Sequence, residues 1–436
     1  MFSKKASILY VVLVFMLVLA ACSSNGSNSE NAGETDDSND NQSAENIELT
    51  MWTFGSPGYD KFLEEYKEVN PNVTIRIQSA DLADHHNNLF TAISAGSGAP
   101  DITMIEAGYI DQYREAQEMF VNLYDLGAEE IKGDYLDWTW SNAESADGDF
   151  LFGVPTDIGP TVMYYRTDVF EEAGLPTDPD EVHALIQTWD DFRKVAKEVT
   201  EKTGKPMTDN VNLIYYSLRD QSPETYFDRD NNLIINDSPY IKNAYDYATQ
   251  LIEDGVVGRI EMWSPEWGTA MNDGSFATLL APSWMQNVIT GNAPEAAGKW
   301  SITHLPEGAG NWGGSYLGVP SQTKHAEEAY AFISWLLSPE NQLKSFKQEG
   351  LFPSTPAIYD DPAFTEHTDE YFSGVKTAKI YSEAAQQVQI AYTGPGYAIA
   401  NSEIGTALAN VNNENRDPEK EWEEAVKRIE RQLERR

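Results

Sequence analysis

The chain of 436 residues contains a single cysteine, Cys22, so it cannot form an internal disulfide bond, and a hydrophobic core must hold its fold. It is also poor in positive charge, with 30 basic residues against 70 acidic ones. The resulting net charge of −40 disfavours nucleic acid and anionic lipid surfaces as partners. After residue 21 no apolar run is long enough to span a membrane, and no Gly-x-x-x-x-Gly-Lys-Ser/Thr segment offers a nucleotide phosphate site.

The first 46 residues carry the pattern of an exported, lipid-modified chain. Lys4 and Lys5 precede an unbroken apolar run from Ile8 to Ala21, which predicts a signal peptide over residues 1–21. The run ends in Leu-Ala-Ala before Cys22 and resembles a bacterial lipobox, which implies cleavage before Cys22 and lipid attachment to its thiol. An ordinary signal peptide with an accidental cysteine, or an uncleaved anchor, are the alternatives. Residues 22–46 are rich in Ser, Asn, Gly and acids, which predicts a flexible tether.

The part that follows the tether alternates between strand and helix patterns. Residues 47–52 and 73–77 alternate apolar and polar side chains, and residues 102–105 are apolar except for Thr103, which predicts three strands. An apolar stripe at Tyr59, Phe62, Leu63 and Tyr66 predicts a helix that ends before Pro71, and residues 89–95 predict a second helix. This order indicates an α/β fold with a parallel sheet. Ligands of such sheets bind beyond the carboxyl ends of the strands, here residues 53–59, 79–86 and 106–109.

The length of the mature chain exceeds what one hydrophobic core usually supports, so two lobes are expected. The segment GVPTDIGPTVMYYR, residues 153–166, has the extended pattern of a crossing between lobes. A second crossing is predicted near GNWGGSYLGVP, residues 310–320, where four glycines provide the backbone freedom that a hinge needs. Helical patterns resume from Trp189.

Five segments in order resemble the extracellular solute-binding proteins of carbohydrate ABC importers, the family 1 group that includes maltose-binding protein. They are TMWTFGSPGYDKFLEEYKEVNPNVTIRI, AISAGSGAPDITMI, GPTVMYYRTDVFEEAGLP, GSFATLLAPSWM and GGSYLGVPSQTKHAEEAYAFISWLLSPENQ. The resemblance implies a two-lobe, type II periplasmic-binding-protein-like fold that closes on a sugar or oligosaccharide by hinge motion. The lobes are expected at residues 47–155 plus about 315–365, and at about 156–314 plus 366–436. The implied partners are permease subunits with a cytoplasmic ATPase; the chain itself is expected to be a monomer without cofactors.

Aromatic side chains are abundant, with 11 Trp and 22 Tyr, and flat rings are the surfaces on which the apolar faces of sugars stack. The resemblance places Trp284 at a stacking position, and it suggests Phe54 and Tyr397 as further contacts. Trp263, Trp267 and Trp312 are candidates as well. For each ring the alternative is packing in the core or under a loop.

Polar candidates come from loop position and from the resemblance. They are Glu106 and Tyr109 after the third strand, Asp157 and Ser315 in the two crossings, the pair Arg219 and Asp220, and His85 near a helix start. An Arg beside a carboxylate can bind adjacent sugar hydroxyls through charge-assisted hydrogen bonds, although a surface ion pair is the alternative. The six histidines are too scattered to predict a metal site. Asp228, Asp230 and Asn232 resemble the start of a calcium loop, but Pro239 stands where the bidentate Glu is required, so a hairpin turn is predicted.

Two rival functions are also compatible with the sequence. A secreted glycoside hydrolase needs two facing carboxylates, and 70 acidic residues provide many candidates without singling out a pair. An importer subunit for a peptide or a polyamine would share the fold and differ only in the cleft. We expect a binding protein and no enzyme, because no segment resembles a nucleophile elbow Gly-x-Ser-x-Gly and the single cysteine is assigned to the lipid. The aromatic loops favour a sugar over a peptide or a polyamine.

Overall fold

The computed structural model describes residues 46–114, 116–389 and 391–435. The predicted signal peptide, Cys22 and the tether up to residue 45 lie outside this part of the chain. The strands of the described residues are β1 (Ile47–Phe54), β2 (Val73–Ala80), β3 (Ile102–Glu106), β4 (Val154–Arg166), β5 (Thr278–Pro282), β6 (Trp300–Thr303), β7 (Asn311–Gly318) and β8 (Phe352–Pro353).

Helices fill most of the chain between these strands. They are α1 (Leu63–Val69), α2 (Leu82–Ser94), α3 (Ile110–Arg114), α4 (Asp137–Asn142), α5 (Thr167–Glu172), α6 (Pro179–Leu185), α7 (Trp189–Thr203), α8 (Asn212–Asp220), α9 (Pro239–Glu253), α10 (Pro265–Asp273), α11 (Met285–Asn292), α12 (Ala326–Leu336), α13 (Pro339–Glu349), α14 (Pro362–Thr365), α15 (Thr377–Ala385), α16 (Tyr397–Glu414) and α17 (Pro418–Leu433). Across the described ranges, none of them combines the length and the apolar character that a membrane crossing requires.

The described strands form one mixed sheet in the order β2-β1-β3-β7-β4-β5, with β6 and β8 pairing to β4. β1 runs parallel to β2 and β3, as the alternation of strands and helices predicts. β7 returns antiparallel to β3 and to β4. The prediction of an α/β fold is confirmed, and α2 begins at Leu82 rather than at Leu89 because the polar first turns carry little apolar pattern.

β4 is the longest strand, and all of its 13 residues are buried. Its first half pairs with β7 and β8, and its second half pairs with β5 and β6. One strand therefore connects the two parts of the sheet, at the segment that the sequence predicts as a crossing. The Pro and Gly residues at its centre coincide with register shifts between Pro155 and Pro160, where the strand changes partners.

Two hydrophobic cores lie on either side of these crossings. The first extends from Leu49 to Val154 and from Tyr316 to Leu337, and the second from Ile158 to Ala309 and from Phe346 to Ile429. The chain thus passes between the cores along β4, along β7 and between α12 and α13. The sequence pattern assigns residues 315–365 to the first lobe, whereas the rings of residues 346, 352 and 364 pack together in the second core.

Local sequence signals set the ends of several elements. Thr188 and Asp191 form a reciprocal capping box that starts α7, and Gly204, at φ 71°, ends it. The predicted hairpin turn at residues 228–232 is present, since the Asp228 carboxylate accepts hydrogen bonds from the backbone of Asp230 and Asn232.

Candidate binding cleft

A cleft with a cavity volume of about 320 Å³ is lined by residues from both cores. The first core contributes residues beyond the carboxyl end of β3, at the position expected for a ligand site of this fold. The second core contributes α8 and the start of α16, while β7 and the residues Gln389, Ala391 and Thr393 complete the lining. The lining residues are Glu106, Ala107, Gly108, Asn142, Tyr216, Arg219, Asp220, Ser222, Thr225, Asn311, Trp312, Gly313, Gln389, Ala391, Thr393, Tyr397 and Asn401.

Glu106 is the carboxylate that the first core brings to the cleft. It ends β3, and its Oε2 accepts a hydrogen bond of 2.7 Å from the backbone N–H of Gly108. Burial raises the pKa of Glu106 to about 7, the Gly108 hydrogen bond opposes this rise, and the negative charge of Asp157 adds to it. Near neutral pH this carboxyl group can therefore either donate or accept a hydrogen bond.

Arg219 and Asp220 form a buried ion pair at the end of α8. Nε of Arg219 donates to Oδ1 of Asp220 at 2.6 Å, and Nη2 donates to Oδ2 at 2.9 Å, so the contact is bidentate. Arg219 is only 3% exposed. Burial raises the pKa of Asp220, and the charge of Arg219 opposes that rise. The pair places charged donors and acceptors at the cleft with no net charge.

Tyrosine rings and an asparagine hold Arg219 in place. The guanidinium carbon lies 4.7 Å from the ring centre of Tyr216 and 5.5 Å from that of Tyr397. Nη1 donates to the side-chain oxygen of Asn401, which also accepts from the Tyr226 hydroxyl at 3.2 Å. Sequence reasoning missed Tyr216 and Asn401. Their signal is helical spacing, because they lie three and four residues from Arg219 and Tyr397 on α8 and α16.

Trp312 provides the largest aromatic surface of the cleft lining. Its ring centre lies 5.5 Å from that of Tyr216 and 5.2 Å from that of Trp284. Trp284 is not among the lining residues. Its Nε1 donates to the backbone carbonyl of Trp312 at 3.0 Å, and this hydrogen bond helps to fix the position of Trp312. Gly314, two residues after Trp312, has φ 89°, and a Cβ there would lie 2.7 Å from the backbone oxygen of Asp157, so β7 requires glycine at this position.

Of the residues predicted from sequence, the cleft brings together Glu106, Arg219, Asp220, Trp312 and Tyr397. The other candidates lie outside its lining. Their positions follow from the packing of each core.

His85 lies inside the first core. It is 2% exposed, and its Nε2 donates to the backbone carbonyl of Met104 at 2.6 Å, so this nitrogen already has a partner. Phe54 packs against its ring at 5.6 Å. Tyr109 stacks on His86 with ring centres 3.8 Å apart. Burial lowers the pKa of both histidines, that of His86 to about 3, so both rings are neutral and act as packing groups.

Asp157 and Ser315 are buried where β4 pairs with β7. The Thr156 hydroxyl donates to Oδ1 of Asp157 at 2.7 Å and to the backbone carbonyl of Ser315 at 3.0 Å. Both residues therefore belong to the crossing itself. Burial raises the pKa of Asp157, which brings a second titratable carboxyl group near Glu106.

Trp267 and Trp263 have opposite environments although they are four residues apart. Trp267 is 1% exposed and donates from Nε1 to Oδ2 of the buried Asp209 at 2.8 Å, so it is a core residue. Trp263 is 58% exposed and lines a different cavity. Within the described residues, no group of three or more His, Cys, Asp or Glu side chains is arranged to hold a metal ion.

Two cores joined by crossing strands, with a cleft that both of them line, define a two-lobed α/β binding protein of the type II periplasmic fold. The chain belongs to the bacterial extracellular solute-binding protein family, whose pattern it matches over residues 61–372.

The comparisons with individual proteins agree with this family. The chain is 29% identical to an arabinooligosaccharide-binding protein of Halalkalibacterium halodurans over 344 residues, which cover 74% of this chain and 75% of that protein. It is 27% identical to an arabinooligosaccharide-binding protein of Bacillus subtilis, with coverage of 93% and 94%. A crystal structure of an extracellular solute-binding protein of family 1 superposes with a TM-score of 0.83 at 34% identity, covering 88% of this chain and 99% of that one.

Proposed function

We propose that this protein is the solute-binding subunit of a bacterial ABC importer and that it captures an uncharged sugar or oligosaccharide without altering it. The observation that carries the proposal is the composition of the cleft, which combines the rings of Trp312, Tyr216 and Tyr397 with a neutralised Arg219–Asp220 pair. Apolar sugar faces suit the rings, and sugar hydroxyls suit a pair that offers both donors and acceptors.

Arabinose-containing oligosaccharides are the first candidates for the ligand. Two relatives, whose alignments cover 74% and 93% of the chain, are named for binding them. Asn142, Asn311 and Asn401 add amide groups to the cleft, and each amide can both donate and accept. A cleft with one matched ion pair, one buried carboxyl group of raised pKa and several amides favours a ligand that is rich in hydroxyl groups.

The expected location is the outer face of the cell membrane. The predicted lipid on Cys22 would keep the protein near permease subunits that span the membrane and a cytoplasmic ATPase, and the protein would act there as a monomer. Labelling cells with radioactive palmitate tests the anchor: the wild-type chain should incorporate label and leave the culture medium free of protein. The Cys22→Ser variant should incorporate none, and equal labelling of both chains would refute the anchor.

The alternatives differ in what the cleft would have to provide. A polyamine needs several ionised carboxylates, but both oxygens of Asp220 are engaged by Arg219. Glu106 is the other acidic residue of the lining, and burial raises its pKa to about 7, so it is only partly ionised near neutral pH. A glycoside hydrolase needs a free nucleophile or base opposite an acid, and the same engagement removes Asp220 from that role. Glu106 alone does not make a pair of catalytic carboxylates in the cleft lining.

Isothermal titration calorimetry against purified arabino-oligosaccharides, lactose, spermidine and a mixed tripeptide tests the proposal. We expect saturable binding of at least one sugar and none of the amine or the peptide. Chromatography of each sugar after overnight incubation should return it intact. Binding only of spermidine or the tripeptide, or release of shorter sugars, would refute the proposed function.

The Arg219→Lys variant sharpens this test, because lysine keeps the positive charge but cannot form the bidentate contact with Asp220. We expect at least a tenfold weaker affinity for the sugar, as on the order of 1.5–3 kcal/mol is typical of a hydrogen bond to a charged group. The exposed Arg76, which pairs with Glu48 on the surface, provides the matched control Arg76→Lys, with unchanged affinity expected.

A further inference from the structure

Trp263 occupies an unfavourable position for a tryptophan. The residue is 58% exposed, and its backbone has φ 67°, a conformation that glycine or asparagine adopts much more easily. It stands immediately before Ser264, whose hydroxyl caps the start of α10, so the turn itself does not require an aromatic residue. Backbone strain of this kind tends to persist where a residue serves a ligand.

A polar cavity of about 500 Å³ lies beside this ring. Its lining comes only from the second core, and it shares no residue with the cleft lining. Side-chain amides dominate it, with one Arg and one Glu of opposite charge. The polar residues are Asn210, Asn212, Arg259, Glu261, Asn412 and Asn413.

The side-chain oxygens of two of these amides accept no hydrogen bond within the described part of the chain. Among the described residues, Oδ1 of Asn212 and Oδ1 of Asn412 are buried without any hydrogen-bond partner. Asn412 is held in place, since it is 3% exposed and its Nδ2 donates to the backbone carbonyl of Gly258 at 3.0 Å. Buried acceptors without partners are costly, and hydroxyl donors of a ligand would satisfy them.

Aromatic rings connect this cavity to the cleft. Trp263 lies nearly parallel to Trp284, with an interplanar angle of 14° and ring centres 6.4 Å apart. Trp284 contacts Trp312, which contacts Tyr216 inside the cleft. Neighbouring rings therefore extend from the cleft lining to the exposed Trp263.

We infer that Trp263 and the amide-lined cavity beside it form a second saccharide-binding subsite, outside the cleft, which receives the outer units of a chain-like oligosaccharide. The inference rests on the proposed function, because the cleft must hold the inner units of the same ligand. One sugar unit would stack on the exposed face of Trp263, and its hydroxyls would donate to Asn212 and Asn412. The subsite belongs to one lobe only, so it does not depend on the lobes closing around it.

The test is a length series. Calorimetry with arabinose, arabinobiose, arabinotriose, arabinotetraose and arabinohexaose is carried out on the full mature chain and on its Trp263→Ala variant. We expect equal affinities for the shortest sugar that binds, and a roughly 3- to 10-fold loss in the variant for the longest sugars, the range typical of one stacked aromatic contact. Trp263→Tyr should recover part of that loss, since it retains a ring.

Tyr240→Ala is the matched control, because Tyr240 is another exposed aromatic side chain of the second lobe, 39% exposed, that lines neither cavity. It should bind every sugar like the wild type. Equal affinities of Trp263→Ala and wild type at every length, or an equal loss at every length, would overturn the subsite while leaving the proposed function intact. Failure of the wild type to bind any sugar, in this series or among other oligosaccharides, would overturn both proposals.

Discussion

The buried ion pair of the cleft allows a quantitative prediction. Arg219→Met removes the charge while keeping an unbranched side chain that can pack among the surrounding tyrosine rings. The side chain of Asp220 is 10% exposed, and the change removes both N–H donors with which Arg219 binds it. It also removes the donor to Asn401. The variant should therefore be less stable even when no ligand is present.

The size of the effect follows from these contacts. Removing one partner of a buried ion pair costs about 3–5 kcal/mol, because the remaining charge is left without compensation. In the double variant Arg219→Met/Asp220→Asn no charge remains, so we expect at least half of the lost stability to return. The unpaired carboxylate should also take up a proton more readily, so the deficit of Arg219→Met should be smaller at pH 5 than at pH 8.

Urea unfolding of the ligand-free protein, followed by tryptophan fluorescence and circular dichroism at both pH values, measures this. Arg76→Met is the control, because Arg76 forms an exposed pair with Glu48 and its loss should change the free energy of unfolding by no more than about 0.5 kcal/mol. The reasoning is refuted if Arg219→Met lies within about 1 kcal/mol of the wild type. It is refuted as well if the double variant is no more stable than the single one.

Three further changes test other parts of the structure. Trp267→Phe should lower the free energy of unfolding by roughly 1–3 kcal/mol, since Asp209 loses a donor, without changing ligand affinity in calorimetry. Glu106 has a pKa of about 7 in the folded protein, above its ordinary value, so its stabilising contribution is present below about pH 4.5 and is lost as pH rises through 7. The decrease in the free energy of unfolding between pH 5 and pH 8, measured by urea unfolding, should therefore be smaller in Glu106→Gln than in the wild type. Thr393→Val removes the hydrogen bond to Asp111 between the lobes and should open the unliganded form, measured as a larger radius of gyration by X-ray scattering; an unchanged radius would contradict this.

The order of elements and the general place of the cleft could be predicted from the sequence. Alternating apolar residues in β1 and β2 and the apolar run of β3 reflect burial that depends on local pattern, so they predict a parallel α/β sheet. Loops after such strands define one edge of the sheet, and Glu106, which that rule predicts as a site residue, lines the cleft. Glycines near β7 and the length of β4 mark two of the passages between the cores.

Side-chain environment was decided only by the tertiary structure. Trp267 and Trp312 carry the same side chain and were equal candidates in the sequence, yet Trp267 fills the second core and Trp312 lines the cleft, because distant elements pack against each ring differently. His85 lies in α2 just beyond the end of β2, and Glu106 ends β3, but the ring of His85 turns inward to the backbone carbonyl of Met104. The third passage between the cores, at α13, has no local signal because Phe346 joins the second core through contacts with Phe352 and Phe364. Periodicity determines which faces are apolar, and only packing over long sequence distances determines what those faces meet.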